Sequence, residues 1–171
     1  ALKRGLDKRV GIVDPRMATE DEMHRFHTVE HVAWVKQKSA DGYGLIDYGD
    51  TPACPGIFEA AMTVAGSALH GLDSIMSGDA QRTFQPVGGL HHARREAAAG
   101  FCVFNDIGVV IDTLRTQFGL KRVAYVDIDV HHGDGIYYSY VDDPDLIYVD
   151  IHQDGRTIYP GTGHANETGA G

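Results

Sequence analysis

Three acids and two histidines crowd into eight residues of this chain, Asp127-Ile128-Asp129-Val130-His131-His132-Gly133-Asp134. The run reads as a strand end, and strand alternation puts Asp127, Asp129 and His131 on one side with Ile128 and Val130 on the other. Charged groups at the carboxyl end of a buried parallel strand are costly unless they are paired or ligated. That end is also where open α/β sheets bind ligands. Asp129 and His131 therefore read as a carboxylate and an imidazole for one divalent ion, and zinc suits that mixed oxygen and nitrogen set. Read without function, the run is a hydrogen-bonded strand end capping the next helix, but it holds more titratable groups than a cap needs.

A second pair, His91-His92, follows the Gly-rich stretch Gly88-Gly89-Leu90. Alone, two adjacent histidines are more often a surface accident. Beside the acid run they gain a role, because Asp127 and Asp134 are not both needed as ligands and can orient two imidazoles and tune their pKa values. A carboxylate–imidazole pair next to a metal makes a water-activating base. Other clusters offer less. His24, His27 and His31 have the spacing of one helical face, yet Thr28 starts a helix after His27 and breaks that face, so they are expected to be structural or surface residues. Tyr137, Tyr138 and Tyr140 read as packing residues, and His70 needs no function.

These groups need a scaffold. Thr28 caps a helix from Val29 to about Lys38, and a Gly- and Asp-rich loop runs from Asp41 to Thr51. Pro55 can open and Gly78 can close a longer helix, with Phe58, Met62, Ala65, Leu69, Leu72 and Met76 as its buried stripe. Asn105 can cap a third helix with the apolar face Ile107, Val110, Ile111, Leu114 and Phe118, closed by Gly119. Arg122 to Val130 and Leu146 to Ile151 read as buried strands flanking a short helix at Gly135 to Tyr140. Residues 10–13 read as a short strand or extended segment stopped by Asp14-Pro15. Helices alternating with apolar strands predict an α/β fold with a mainly parallel sheet and helices on both faces, three layers in all. No repeat, low-complexity tract or linker divides the chain, so residues 1–171 are expected to form one domain. The stretch from His152 to Gly171 has no clear element, reads as a functional loop, and is expected to continue into a further part of the fold.

Composition narrows the classes. At 171 residues, 43% hydrophobic and 23% charged, the chain has the profile of an ordinary globular protein. A formal net charge of -9 weighs against binding nucleic acid, which requires a positive surface. It suits a cationic partner such as a lysine-rich peptide or a polyamine. Cys54 and Cys102 lack CxxC spacing and suggest neither a disulfide framework nor a thiolate metal site. No apolar run reaches membrane-spanning length, and Ala1-Leu2-Lys3-Arg4 has no apolar region behind it, so no membrane partner and a cytoplasmic location are expected.

Four segments, GYGLIDYGDTP, GGLHHARREAAAGFCVFND, YVDIDVHHGDG and IYPGTG, carry a resemblance to the histone deacetylase and acetoin-utilisation-protein family, in the family's order and across nearly all of residues 10–171. The resemblance implies the arginase/deacetylase fold and a zinc-dependent deacetylase that hydrolyses the acetyl amide of acetyl-lysine or a related acetylated amine. It implies that Asp129 and His131 bind Zn²⁺. His91 and His92 would form the catalytic dyad, with His92 the general base supported by Asp134 and His91 chiefly electrostatic and supported by Asp127. Phe101 and Tyr159 would wall a narrow tunnel, the Gly100 carbonyl would accept the substrate amide N–H, and Asp50 would hold the substrate from the rim. A monovalent cation, K⁺, would lie near the carbonyls of Asp127, Asp129 and His131, where Asp150 replaces the Ser of many relatives.

The departures from the family pattern are equally specific. A third zinc ligand, an Asp, and a carbonyl-polarising Tyr lie beyond the IYPGTG segment in the family, and a strand and a His-Pro loop precede the part matching Val10 to Thr28. The chain is thus expected to be an interior segment of the fold, incomplete at both ends and inactive alone, with a complementing C-terminal fragment or a second copy as protein partners. Two other readings compete. An arginase-like hydrolase with two metals needs a carboxylate two residues past the ligating His, where this chain has Gly133. A non-catalytic acetyl-lysine-binding module would have no need of the His91-His92 and Asp127/Asp134 pairs.

Overall fold

The computed structural model describes residues 5–169; the Ala1–Arg4 start and the final Ala170-Gly171 discussed above lie outside the described residues. After a 3-10 turn at Leu6–Arg9 the elements are α1 (Glu20–Met23), α2 (Val29–Asp41), α3 (Ile57–Met76), α4 (Asp106–Thr116), β1 (Val123–Asp127), α5 (Asp134–Ser139) and β2 (Leu146–Asp150). Residues 10–13 form no strand, and Val10, Ile12 and Val13 are exposed.

Local chemistry accounts for most boundaries. Thr28 caps α2 by accepting from the His31 N–H at 3.2 Å, and Asn105 caps α4 by accepting from Gly108 at 2.9 Å. The α3 helix starts at Ile57 rather than at Pro55, because Gly56 takes a left-handed conformation at the N-cap. The short α1 is absent from the sequence reading, although its signal was present. Thr19 and Glu22 form a reciprocal capping box, with the Thr19 hydroxyl accepting from Glu22 N–H and the Glu22 carboxylate from Thr19 N–H.

The core lies between these helices and one face of the sheet. Phe58, Met62, Ala65, Leu69 and Leu72 of α3 are buried with Val32 and Val35 of α2 and Val109 and Ile111 of α4. Each fully buried Val, Leu, Ile, Phe or Met among them is worth roughly 1.5–3 kcal/mol against exposure. Strands β1 and β2 pair in parallel, Val123 opposite Leu146 through Asp127 opposite Asp150. Their inward residues Val123, Tyr125, Leu146 and Tyr148 join this core. The opposite face presents Val126, Ile147 and Val149 to solvent.

One expectation needs correction. The first strand stops at Asp127, three residues short of Val130, so simple alternation does not place Asp127, Asp129 and His131 on one face. Asp127 Oδ1 accepts the Asp129 N–H at 3.0 Å, and Asp129 Oδ1 accepts the His131 N–H at 2.8 Å. Each is an aspartate binding the backbone two residues on, the chemistry that turns a chain out of a strand. Asp127 ends buried while Asp129 lies exposed.

Candidate active site

The His91-His92 loop is fixed from beneath. Asp106, in the first turn of α4, accepts the N–H groups of Gly89 at 3.0 Å and Leu90 at 2.9 Å. Asn105 Nδ2 donates to the Ala93 carbonyl at 2.8 Å. From the other side α5 packs directly on the loop backbone, and a Cβ at Gly135 would lie 2.6 Å from the His92 carbonyl carbon. Only glycine allows that approach. Both Asp106 and Gly135 lie at the ends of segments that carry the family resemblance, but the sequence gives neither a role, because their partners are distant along the chain.

Both imidazoles are buried, and their rings lie 4.1 Å apart. His91 Nδ1 donates to Asp127 Oδ2 at 2.6 Å, and His92 Nδ1 donates to Asp134 Oδ1 at 2.7 Å. These bonds leave each Nε2 free for the site. Asp127 also accepts from the Tyr125 hydroxyl at 2.5 Å, and Arg94 approaches Asp134 at 3.3 Å. The sequence alone gives Tyr125 no role, though its place two residues before Asp127 on the same strand face is readable from alternation.

Electrostatics follows from these partners. Burial alone would raise the Asp127 carboxyl, but hydrogen bonds from His91 and Tyr125 outweigh it and hold it at about 2. Burial opposes charging of His91, yet the bond and charge of Asp127 move its pKa above the ordinary value, with Asp129 adding to the effect. His91 therefore holds its proton more tightly than a free imidazole does.

Asp129 and His131 sit beside the dyad on the solvent side. His91 Nε2 lies 3.9 Å from Asp129 Oδ1, and the His131 ring lies 5.7 Å from that of His92. Asp129 Oδ1 and His131 Nδ1 are 2.9 Å apart. That is a hydrogen bond; adjacent tetrahedral zinc ligands with bonds of about 2.0–2.1 Å stand about 3.3 Å apart, so sharing an ion would replace this bond and part the two atoms by a few tenths of an ångström. The donor types, one carboxylate and one imidazole, fit zinc; in number they fall short. Among the described residues no group of three His, Cys, Asp or Glu gathers to hold a metal, whereas catalytic zinc normally takes three protein ligands.

The remaining predicted residues converge on the same mouth. Gly100 packs between His92 and Tyr159, where an added Cβ would meet His92 Cδ2 at 2.7 Å and Tyr159 Cε1 at 2.8 Å. The Tyr159 ring stands edge-on to His92 with centroids 4.9 Å apart. Burial pushes the Tyr159 phenol up to about 12, with the charges of Asp134 and then Asp50 adding to it. Phe101 is 68% exposed, and Asp50 lies exposed on the 47–51 loop. Asp150 is engaged within the chain: its carboxylate accepts from Gly133 N–H at 2.9 Å, from the Tyr148 hydroxyl at 2.6 Å and from His152 Nδ1 at 2.7 Å. The Asp127 carbonyl accepts the Ile151 N–H at 3.1 Å.

Comparison with known proteins gives this arrangement a family. The histone deacetylase domain profile matches residues 1–171. The chain belongs to the histone deacetylase family. Among curated relatives of this family, the acetoin utilization protein AcuC of Bacillus subtilis (strain 168) is 40% identical over 168 residues, covering 94% of this chain and 43% of AcuC. Histone deacetylase 8 of Xenopus tropicalis is 34% identical over 174 residues, covering 98% of the chain and 47% of that protein. The solved HDA15 HD domain superposes with a TM-score of 0.89 at 32% identity, covering 99% of this chain and 48% of that one. The fold is therefore the deacetylase α/β fold, and the chain spans about half the length of the histone deacetylase relatives it matches. No helix among the described residues is long and apolar enough to cross a membrane.

Proposed function

We propose that this chain carries the dyad and two metal ligands of a zinc-dependent deacetylase acting on acetyl-lysine or a related acetylated amine. The observation that carries the reading is the double pairing His91–Asp127 and His92–Asp134, at 2.6 and 2.7 Å, facing Asp129 and His131. Membership of a deacetylase family supports it.

In this reading Asp129 and His131 would hold the zinc, with a third donor from outside the described residues. When bound, zinc supplies Lewis acidity toward the acetyl carbonyl and makes the attacking water more acidic. His92, with Nδ1–H held by Asp134, presents Nε2 as the base that takes the water proton and returns it to the leaving amine. His91, drawn toward the imidazolium by Asp127, contributes positive charge beside the reacting oxygen. The Gly100 carbonyl accepts the substrate N–H, Phe101 and Tyr159 wall the passage, and Asp50 meets the substrate backbone at the rim.

The test compares zinc content and hydrolysis of a fluorogenic acetyl-lysine peptide between this chain and the complete gene product. Turnover in the complete product, lost together with zinc in His131→Ala, is the expected result. Tight zinc without turnover in the complete product would sink the enzyme reading and favour an acetyl-lysine-binding module.

A further inference from the structure

Phe101 is the only non-glycine residue with a positive φ, 66°, among the described residues, and Gly100 before it has a φ of 54°. The two occupy the centre of a turn closed by Cys102 N–H to the Ala99 carbonyl at 2.8 Å and by Ala99 N–H to the Cys102 carbonyl at 3.1 Å. Two left-handed central residues define a type I′ turn, a position normally filled by Asn or Gly. A bulky side chain there is strained and persists only where its surroundings over-determine it. Burial of the ring does not explain it, since most of the Phe101 side chain faces solvent.

The determining contact comes from the other side of the mouth. Phe101 N–H donates to Thr51 Oγ1 at 3.2 Å, and Thr51 is 2% exposed. The Thr51 hydroxyl has committed its proton to Asp47 Oδ2 at 2.5 Å, which leaves its lone pairs for the Phe101 amide. Asp47 is held in turn, because its Oδ1 accepts both Gly49 N–H and Thr51 N–H at 3.0 Å. Burial works against the Asp47 charge, but the hydrogen bonds from Thr51 and Gly49 keep its carboxyl below the ordinary value. The loop is tied to the helical core by Trp34 Nε1–H, which donates to the Ile46 carbonyl at 2.8 Å, and it closes on itself through Ile46 N–H to the Thr51 carbonyl at 2.8 Å.

We infer that Thr51 is a positioning residue for substrate: its hydroxyl locks the left-handed Phe101 and so sets both the Phe101 ring and the Gly100 carbonyl at the mouth. Asp47 is the anchor of this latch, and Asp50, adjacent to Thr51, moves with it. The inference deepens the deacetylase reading and rests on it for the identity of the substrate. Its geometric content, a loop at 47–51 latched to the turn at 99–102, stands apart from that reading.

The experiment uses Thr51→Val, which keeps the shape and removes the acceptor, with Thr51→Ser as the conservative rescue. In the complete gene product, Thr51→Val raises KM for the acetyl-lysine peptide about tenfold, with kcat within about twofold, and Thr51→Ser restores both to within about twofold. In this chain, hydrogen exchange of the 99–104 amides quickens in Thr51→Val and stays at the parent rate in Thr51→Ser. A Thr51→Ser variant as impaired as Thr51→Val, a fall in kcat at constant KM, or unchanged exchange in Thr51→Val overturns the proposal. If Thr51→Val does not fold, Asp47→Asn must reproduce the KM rise, and its failure to do so has the same meaning. A parent protein with no acetyl-amide turnover sinks the deacetylase reading instead, and the exchange comparison then decides the latch by itself.

Discussion

Five histidines are buried among the described residues; His132 meets the Thr162 hydroxyl, and the other four fall into two pairs that differ in their partners. His27 and His31 are as buried as His91 and His92. His27 Nδ1 donates to the Arg95 carbonyl at 3.3 Å and its Nε2 accepts the Asn105 N–H at 2.9 Å. His31 Nε2 donates to the Val103 carbonyl at 3.0 Å. Both therefore join backbone groups. Burial lowers His27 to about 3, with His31 adding to the effect, and burial likewise lowers His31. These two are neutral struts that hold α2, the segment after the dyad and the start of α4 together. His91 and His92 meet carboxylates, and His91 moves the opposite way. Burial does not mark a reactive histidine; the group that accepts from its second nitrogen does.

Exchanging a member of each pair breaks the comparison most directly. His92→Ala in the complete gene product should lower kcat/KM by at least about 100-fold, the contribution of a positioned general base. His27→Ala should leave kcat/KM of the folded protein within about threefold and cost about 1–3 kcal/mol of stability, because it orphans the buried Asn105 N–H. Peptide hydrolysis and urea unfolding on both variants check this, and equal losses of activity would erase the distinction.

Acid sharpens it. An unfolded His27 takes a proton near 6.5 while the folded one stays neutral to about 3. Between those values the unfolded state binds more protons, so stability falls as pH drops, by up to about 1.4 kcal/mol per pH unit. Urea midpoints at pH 7, 6 and 5 should decline in the parent and decline less in His27→Gln. A parallel decline in both would remove His27 as the cause.

The smallest effect is expected at the rim. His131 is partly exposed, and its hydrogen bonds reach only Asp129, two residues away. His131→Ala should therefore change metal-free stability by no more than about 0.5 kcal/mol, read from the same urea curves, while zinc retention by the complete product is lost. A large destabilisation without metal would mean that this side is as preorganised as the dyad.

Much of this was legible in the chain. Caps at Thr28 and Asn105, the α3 stripe and both strands follow from local rules, since a cap or a hydrophobic period needs only neighbouring residues. The DIDVHHGDG run marked a candidate site by composition, and the His91-His92 pair gained meaning only beside it. Local rules also misled: the alternation inferred for Asp127, Asp129 and His131 failed because two aspartate side chains took the backbone N–H groups that a strand would have used. The neutrality of His27 was not readable either, since its partners Arg95 and Asn105 are 68 and 78 residues away.

The sequence by itself determined which residue types were available and where α2, α4 and the second strand begin, because those depend on side chains a few positions apart. Only the tertiary structure decided which histidine faces which carboxylate, that Asp106 and Gly135 seat the dyad, and that Thr51 reaches Phe101. A hydrogen bond of about 3 Å between residues tens of positions apart depends on how the intervening chain packs, and no spacing rule encodes that.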